Sequence, residues 1–433
     1  MKTINVGLLG LGTVGSGMLK VFQEHVELLD RRVGAKLRIK KIAVRRLPPR
    51  IPVDARLLTT DALEVVRDPQ IDIVVELIGG TTVARTLCLE AIANGKHLVT
   101  ANKALLGEHG LEIYRAAAEK RVDLGFEASV CGAIPIIRSV KDGLVANRIL
   151  SFMGIVNGTT NYILTKMTET GQAFASVLAE AQAQGYAEAD PTLDVGGIDA
   201  AHKLQILASL AYGGYIRFSD IYIEGIQNVE ATDIEFAREL GYRIKLLAIA
   251  KEDHGELEVR VHPTMIPETH LLASVGGVYN AVHIRGDSCG SLMFSGRGAG
   301  QLPTASSVVA DIVEIAHNIV YHRPARAGLL PTSAAGGEIT LRPMERIASR
   351  YYLRIMAVDK PGVLSKVSGV LGENSISIAS MIQKGRDEAA AVPIVMLTHA
   401  AVEGDMRRSL QRINTLDVVA QETTCIRVEG VED

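Results

Sequence analysis

Two groups of residues in this chain have types and spacing that could support chemistry. The first is Gly10-Leu11-Gly12-Thr13-Val14-Gly15, which fits the pattern G-x-G-x-x-G. In such a turn the first glycine permits the tight bend. The second lets the backbone approach a pyrophosphate, and the third lets helix and strand pack closely. Thr13 and Val14 would open the helix, whose N-terminus offers unpaired N–H groups and partial positive charge to phosphates. With 41 glycines in the chain, a lone match has little weight. The context gives it more, because the match follows the apolar run Ile4–Leu9 and precedes a helical stretch. The alternative is a glycine-rich turn with no ligand. A second apolar run ends at Val44, where a carboxylate for a ribose diol is expected, yet Arg45-Arg46 comes next. Arginine there suits a 2′-phosphate and predicts that NADP is accepted, with NAD not excluded. A solvated basic turn is the other reading.

The second group runs from Gly185 to Lys203. Asp199 and Lys203 are four residues apart on a predicted helix over 197–211, so they share a face. That spacing alone most often marks a surface ion pair. The preceding segment, however, carries Glu188, Asp190 and Asp194 around Pro191 and Gly196-Gly197 with few aliphatic residues, the composition of a shaped loop feeding a helix. Lys103 is a further candidate: it comes after the strand-like run Lys96–Thr100 at its carboxyl end, where ligands of parallel sheets collect. For Lys103 the alternative is an ordinary surface lysine.

The elements that must position these residues read as an α/β chain. Residues 1–135 alternate short apolar runs (Ile4–Leu9, Leu37–Val44, Ile71–Ile78, Lys96–Thr100) with helical stretches over Val14–Leu29 and Thr82–Asn94. This alternation predicts βαβ units and a Rossmann-type parallel sheet. Residues 136–305 interleave strand-like pieces, Leu246–Ala250 and Leu257–Val261 among them, with longer helical runs and predict a mixed α/β substrate and dimerisation domain. A helix over Thr304–Tyr321 is expected to return to the first domain. Residues 322–349 are rich in Pro, Gly, Ser and Ala and read as a linker. Residues 350–430 follow the order βαββαβ of a ferredoxin-like unit.

Composition excludes several classes of partner. The chain has 433 residues, enough for two or three domains, with 47% hydrophobic and 22% charged residues. A net charge of −3 predicts no nucleic-acid or membrane-surface partner. Trp is absent and aromatics are 4%, which disfavours base-stacking platforms. The four cysteines, Cys88, Cys131, Cys289 and Cys425, are widely separated. They predict reduced thiols in a cytoplasmic protein rather than a zinc site or a disulfide framework. The N-terminal apolar run reads as a strand entering the glycine turn and not as a signal segment. No stretch reaches the roughly 18 apolar residues that span a bilayer.

Several segments together resemble the homoserine dehydrogenase family. They are Val75-Glu76-Leu77-Ile78-Gly79-Gly80, Thr100-Ala101-Asn102-Lys103, Phe126 to Val130 with Gly132 to Ile136, Gly154 to Ile163, Gly185 to Lys203, and Gly298-Ala299-Gly300 followed by Pro303-Thr304-Ala305. In this order they cover nearly the whole chain, in the single-function bacterial form, with no room for a fused aspartate kinase. The resemblance implies NAD(P)-dependent interconversion of L-homoserine and L-aspartate 4-semialdehyde, on the route to threonine, isoleucine and methionine. The rival readings are another amino-acid dehydrogenase on the same scaffold and a non-catalytic amino-acid sensor. Oxidising a primary alcohol moves a hydride to the nicotinamide and a proton to a base, and a lysine serves as that base where its surroundings lower its pKa.

The resemblance gives that role to Lys203, with Lys103 contacting cofactor and substrate. Glu188 and Asp199 would bind the substrate's ammonium and hydroxyl, Asp194 would support them, and Gly185 and Gly300 would let backbone approach the nicotinamide half. Glu127, Val130, Gly132 and Ile134 match a structural sodium site, one carboxylate with backbone carbonyls. Val358-Asp359-Lys360-Pro361-Gly362-Val363-Leu364 and Gly372 to Ile376 resemble an ACT domain, which implies pairing of subunits and an amino-acid effector, threonine being the natural candidate. A dimerising unit without ligand is the alternative there. A homodimer or homotetramer is expected.

Overall fold

The computed structural model describes residues 2–46, 51–325, 339–383 and 391–430. The proline pair of Arg46-Leu47-Pro48-Pro49-Arg50 and residues 326–338 of the expected linker lie outside the described residues. The chain divides into two compact units, one of residues 1–150, 201–221 and 280–339, the other of 151–200, 222–279 and 340–433.

The first unit is built on a six-stranded parallel sheet. Its strands are β1 (Thr3–Leu9), β2 (Lys36–Ala43), β3 (Leu58–Thr59), β4 (Ile73–Glu76), β5 (His97–Thr100) and β6 (Leu124–Gly125), in the order β3-β2-β1-β4-β5-β6. This is the doubly wound order, and its topological switch lies where β1 meets β4. The strands are short and apolar because both faces are covered. Ile4, Val6 and Leu8 point into a core completed by Met18, Leu19 and Phe22 of helix α1 (Thr13–Val33). Helix Gln301–Val320, which begins three residues earlier than expected, adds Ala305, Val308 and Ile312 to the same core. It packs so tightly on α1 that a Cβ at Gly17 would lie 2.6 Å from the Gln301 carbonyl oxygen.

A helix that the sequence pattern did not announce, Lys103–Lys120, comes after β5. Its Gly107 and Gly110 weaken the periodic signal, but Gly107 is required. A Cβ there would lie 2.9 Å from the His202 ring, and its carbonyl accepts the Gln205 amide at 2.9 Å.

The second unit carries a mostly antiparallel sheet in the order Ile149–Ile155, Tyr242–Asp253, Glu256–Pro267, Thr424–Val428, Ala348–Val358, Ala391–Thr398, Ile378–Gln383. The second and third strands pair in register through twelve residues, longer than the pieces expected from sequence. His254 and Gly255 both take positive φ, 50° and 80°, and close the hairpin in the primed-turn conformation that matches strand twist. The last four strands, with helices Val363–Glu373 and Glu403–Ile413, form the expected βαββαβ unit around its own apolar core of Tyr351, Leu353, Val367, Leu371 and Met396. Within the expected linker, Thr340–Leu341 is a short strand beside Glu256–Pro267, and 348–349 already belong to the next strand.

Candidate functional site

In the first unit, the glycine turn connects β1 to α1. Gly10 has φ 96°, and a Cβ on it would strike the Leu77 carbonyl oxygen at 2.7 Å. A Cβ on Gly15 would lie 2.3 Å from the Gly10 carbonyl oxygen, so helix and turn are in backbone contact. Gly12 caps α1 and has nothing within 4 Å of where its Cβ would stand. Thr13 is exposed and Val14 half-buried behind it. An open face at Gly12, backed by two glycines that allow no side chain, fits a pyrophosphate laid on the helix N-terminus. Arg45 and Arg46 are exposed just beyond β2.

At the carboxyl ends of β4 and β5, a buried carboxylate organises the neighbouring loops. Glu76 accepts the amides of Ile78 and Gly79 at 2.8 and 3.0 Å on one oxygen and the Thr100 hydroxyl at 2.6 Å on the other. Thr100 in turn accepts the Asn102 amide, and the Asn102 side chain donates to the Gly80 carbonyl at 2.7 Å. Asn102 also caps the helix that starts at Lys103 by accepting from Leu105 N. Half-buried Lys103 is thereby fixed at the first turn of a helix at a strand's carboxyl end. Glu76 and Asn102 both stood in segments singled out from sequence, but nothing in their spacing announced this network.

In the second unit, two of the acids meet on one amide. Asn157 donates through Nδ2 to Asp194 Oδ1 at 2.7 Å and to Asp199 Oδ2 at 2.8 Å. Its Oδ1 accepts Thr160 N at 2.8 Å, capping helix Gly158–Thr170. Asp199 is buried in the first turn of helix Ile198–Ala211, and Asp194 is half-buried in the short turn before it. Lys203, four residues further along this helix in the stretch that belongs to the first unit, is only 8% exposed. An exposed i,i+4 ion pair, the bland expectation, does not describe two buried ends. Glu188 stands apart: it is exposed, and its carbonyl accepts from the Gln182 side chain. Its loop is tied down by Thr159 Oγ1 donating to the Tyr186 carbonyl at 2.8 Å and by Tyr162 against Tyr186, with ring centroids 4.7 Å apart. Gly185, at φ 75°, and Gly300, at φ 135° before helix Gln301–Val320, hold backbone conformations that disfavour a side chain.

The expected sodium loop lies in the first unit. Cys131 and Gly132 take φ 56° and 51°, which turns the chain sharply, and a Cβ on Gly132 would lie 2.5 Å from the Gly298 carbonyl oxygen. The Gly132 carbonyl accepts Ser307 Oγ at 2.7 Å, and the Ile134 carbonyl accepts Ile136 N at 2.7 Å. The Glu127 side chain, the carboxylate expected to face a cation, is buried. Both of its carboxylate oxygens accept amides, from Ile137 and Arg138, each at 2.8 Å. Burial pushes the Glu127 carboxyl up from its usual range despite these amides.

Among the described residues no helix is long and apolar enough to cross a membrane. Comparison with known proteins matches three consecutive families: homoserine dehydrogenase, NAD binding domain, over residues 10–127; homoserine dehydrogenase over 135–313; and ACT domain over 351–417. The chain is 46% identical to homoserine dehydrogenase of Neisseria gonorrhoeae over 442 aligned residues, covering 100% of both. It is similar to a crystal structure of a homoserine dehydrogenase from Thiobacillus denitrificans, with TM-score 0.94, 48% identity and 99% of each chain covered. A hyperthermophilic archaeal homoserine dehydrogenase in complex with NADPH matches with TM-score 0.60 and 25% identity over 72% of this chain and 97% of that one. The chain belongs to the homoserine dehydrogenase family, NAD(P)-dependent oxidoreductases that interconvert L-homoserine and L-aspartate 4-semialdehyde, and it carries a C-terminal ACT domain.

Proposed function

We propose that Lys203 is the proton-transfer group of this enzyme, that Asp199 and Glu188 bind the amino-acid substrate, and that Asp194 holds Asp199 in place. The observation that carries the reading is Asn157, which gathers Asp194 and Asp199 one helical turn ahead of a buried lysine. Oxidation of homoserine removes a hydride from the alcohol carbon and a proton from its oxygen. The nicotinamide, when bound, takes the hydride or returns it. Lys203 takes the hydroxyl proton as the carbonyl forms and gives it back in the reverse direction. Lys103, at a helix start on the carboxyl edge of the sheet, contacts cofactor and substrate. Carboxylates suit the substrate's ammonium because charge-assisted contacts are stronger than neutral ones.

Gly10, Gly12, Thr13, Val14 and Gly15 would hold the coenzyme's pyrophosphate, and Gly185 and Gly300 would serve its nicotinamide half. NADP is accepted, supported by exposed Arg45 just past β2 and by the relative solved with NADPH. The Glu127 carboxylate and the carbonyls of Val130, Gly132 and Ile134 would hold a sodium ion in a structural role. The functional division is a coenzyme domain over 1–135 with the helix over 304–321, a catalytic domain over 136–305, a linker over 322–349 and an ACT domain over 350–430. The ACT domain binds an amino-acid effector, threonine by the logic of end-product control. The protein acts in the cytoplasm as a homodimer or homotetramer. These readings are tested together by following nicotinamide absorbance with homoserine and each coenzyme, with and without threonine. Homoserine-dependent reduction of NADP, lowered by threonine, is expected. Turnover with NAD alone would remove the role of Arg45, and an unchanged rate at millimolar threonine would remove the effector.

A further inference from the structure

Strand Thr424–Val428 of the C-terminal βαββαβ unit lies parallel to Glu256–Pro267, and its Arg427 reaches a segment that borders the substrate loop. Arg427 is 6% exposed. Its Nε and Nη2 grip Glu403 at 2.9 and 2.5 Å, while Nη1 reaches Glu224 Oε2 at 2.8 Å. The Tyr222 hydroxyl donates to the same Glu224 oxygen at 2.9 Å, and the guanidinium lies 4.9 Å from the Tyr222 ring centroid. Glu224 therefore has one oxygen shared by two donors, one of them from the C-terminal unit.

The backbone around Glu224 gives this contact its consequence. Glu224 N donates to the Val261 carbonyl and Ile226 N to the Val195 carbonyl, both at 2.8 Å. Between them Gly225 approaches the substrate loop backbone to backbone: a Cβ there would lie 2.3 Å from the Val195 oxygen and 2.8 Å from Gly196 Cα. A Cβ on Gly197, at φ 81°, would in turn meet the Glu224 carbonyl at 3.3 Å. Residues 195–197 lie between Asp194 and Asp199, the two carboxylates gathered by Asn157. The Gln227 side chain also packs at Gly225, and those of Ile223 and Val261 at Gly197, so the seam is close-packed and transmits displacement rather than absorbing it.

We propose that Glu224 is a positioning residue for substrate, held by Arg427, so that the C-terminal unit sets the placement of the carboxylates that receive the amino acid's ammonium group. The proposal rests on the substrate-site reading above. It makes the ACT unit a built part of the site's support, present with or without an effector.

The test compares steady-state constants of the full-length enzyme. Glu224→Gln keeps the shape and removes the charge. It should raise the homoserine KM about tenfold, the loss of one charge-assisted contact, while kcat and the coenzyme KM stay within about twofold. Gly225→Ala, whose methyl pushes on the Gln227 side chain and on the Val195 carbonyl, should raise the homoserine KM further. Lys251→Met breaks a different ion pair of the same seam, to Glu429, and should leave the homoserine KM unchanged. Asp199→Asn is measured beside them. If it raises the homoserine KM while Glu224→Gln and Gly225→Ala do not, the positioning role is overturned and the site reading stands. If Asp199→Asn itself leaves that KM unchanged, the site reading fails and takes the proposal with it. An equal rise in homoserine and coenzyme KM for Glu224→Gln would mark a general structural effect and also overturn the proposal.

Discussion

Asn157 has more consequence than its size suggests. One amide satisfies two carboxylates and caps a helix, so three local structures depend on a single side chain. Burying a carboxylate without donors is costly, and Asp199 is buried. Asn157→Ala should therefore cost about 1 kcal/mol through the lost cap. It should also raise the homoserine KM about tenfold as Asp194 and Asp199 separate, while coenzyme affinity, read by nicotinamide fluorescence, holds. An unchanged homoserine KM would mean that the two acids do not need the amide. At this scale sequence was informative about residue type and uninformative about partnership. The carboxylates, the lysines and the glycines could be picked out because their chemistry is distinctive. The role of Asn157 could not, because its partners lie 37 and 42 residues further along the chain. Glu76 was hidden for the same reason: its hydroxyl partner Thr100 comes from the next strand, 24 residues on.

The glycine turn illustrates the scale of elements. Gly12 and Gly15 belong to one motif but do different physical work. A methyl on Gly15 meets a carbonyl oxygen at 2.3 Å, whereas a methyl on Gly12 meets open space. Gly15→Ala should thus lower thermal stability as well as coenzyme affinity. Gly12→Ala should leave the melting temperature within about 1 °C and raise the coenzyme KM at least about tenfold, since only the bound pyrophosphate would feel it. Melting curves with and without coenzyme separate the two; equal melting shifts would contradict the division of labour. Elements whose pattern is local were readable: β1, α1 and the βαββαβ order followed from apolar runs and turn residues. Helix Lys103–Lys120 was not, because its Gly107 serves a close approach to His202 and Gln205 that only tertiary structure reveals. Strand Gly290–Arg297 was hidden by a glycine near each end and a largely solvent-facing surface, which leave no alternation to detect.

At the scale of the whole molecule, the second unit carries buried ion pairs beside its apolar core. Arg260 pairs with Glu429 and Glu258 at 2.6 and 3.1 Å, and Arg354 clasps Asp233 with two nitrogens at 2.6 and 3.2 Å. The Arg354–Asp233 and Arg260–Glu429 pairs join residues 121 and 169 positions apart, a pairing that no local pattern encodes. They lock register more than they add stability, since desolvation offsets much of their attraction.

Lys245 in the same unit is buried with no carboxylate partner among the described residues, donating to the Val275 carbonyl at 2.7 Å and to Asn161 Oδ1 at 3.2 Å. Burial, with Arg243 nearby, pushes its pKa down from 10.5 to about 8. Between those values the unfolded chain binds the proton and the native one does not, so stability attributable to Lys245 rises with pH across that window. The unfolding free energy of wild type relative to Lys245→Met should climb by about 2 kcal/mol from about pH 8 toward about pH 10, measured by urea titration. A flat difference would mean that the lysine stays charged when folded.

The most direct measurement of the mechanism is turnover of Lys203→Ala set against its coenzyme affinity. The expected result is a fall in kcat of about a hundredfold or more, with the coenzyme dissociation constant within about twofold of wild type. A kcat equal to that of the unaltered enzyme would contradict the assignment of proton transfer to this side chain.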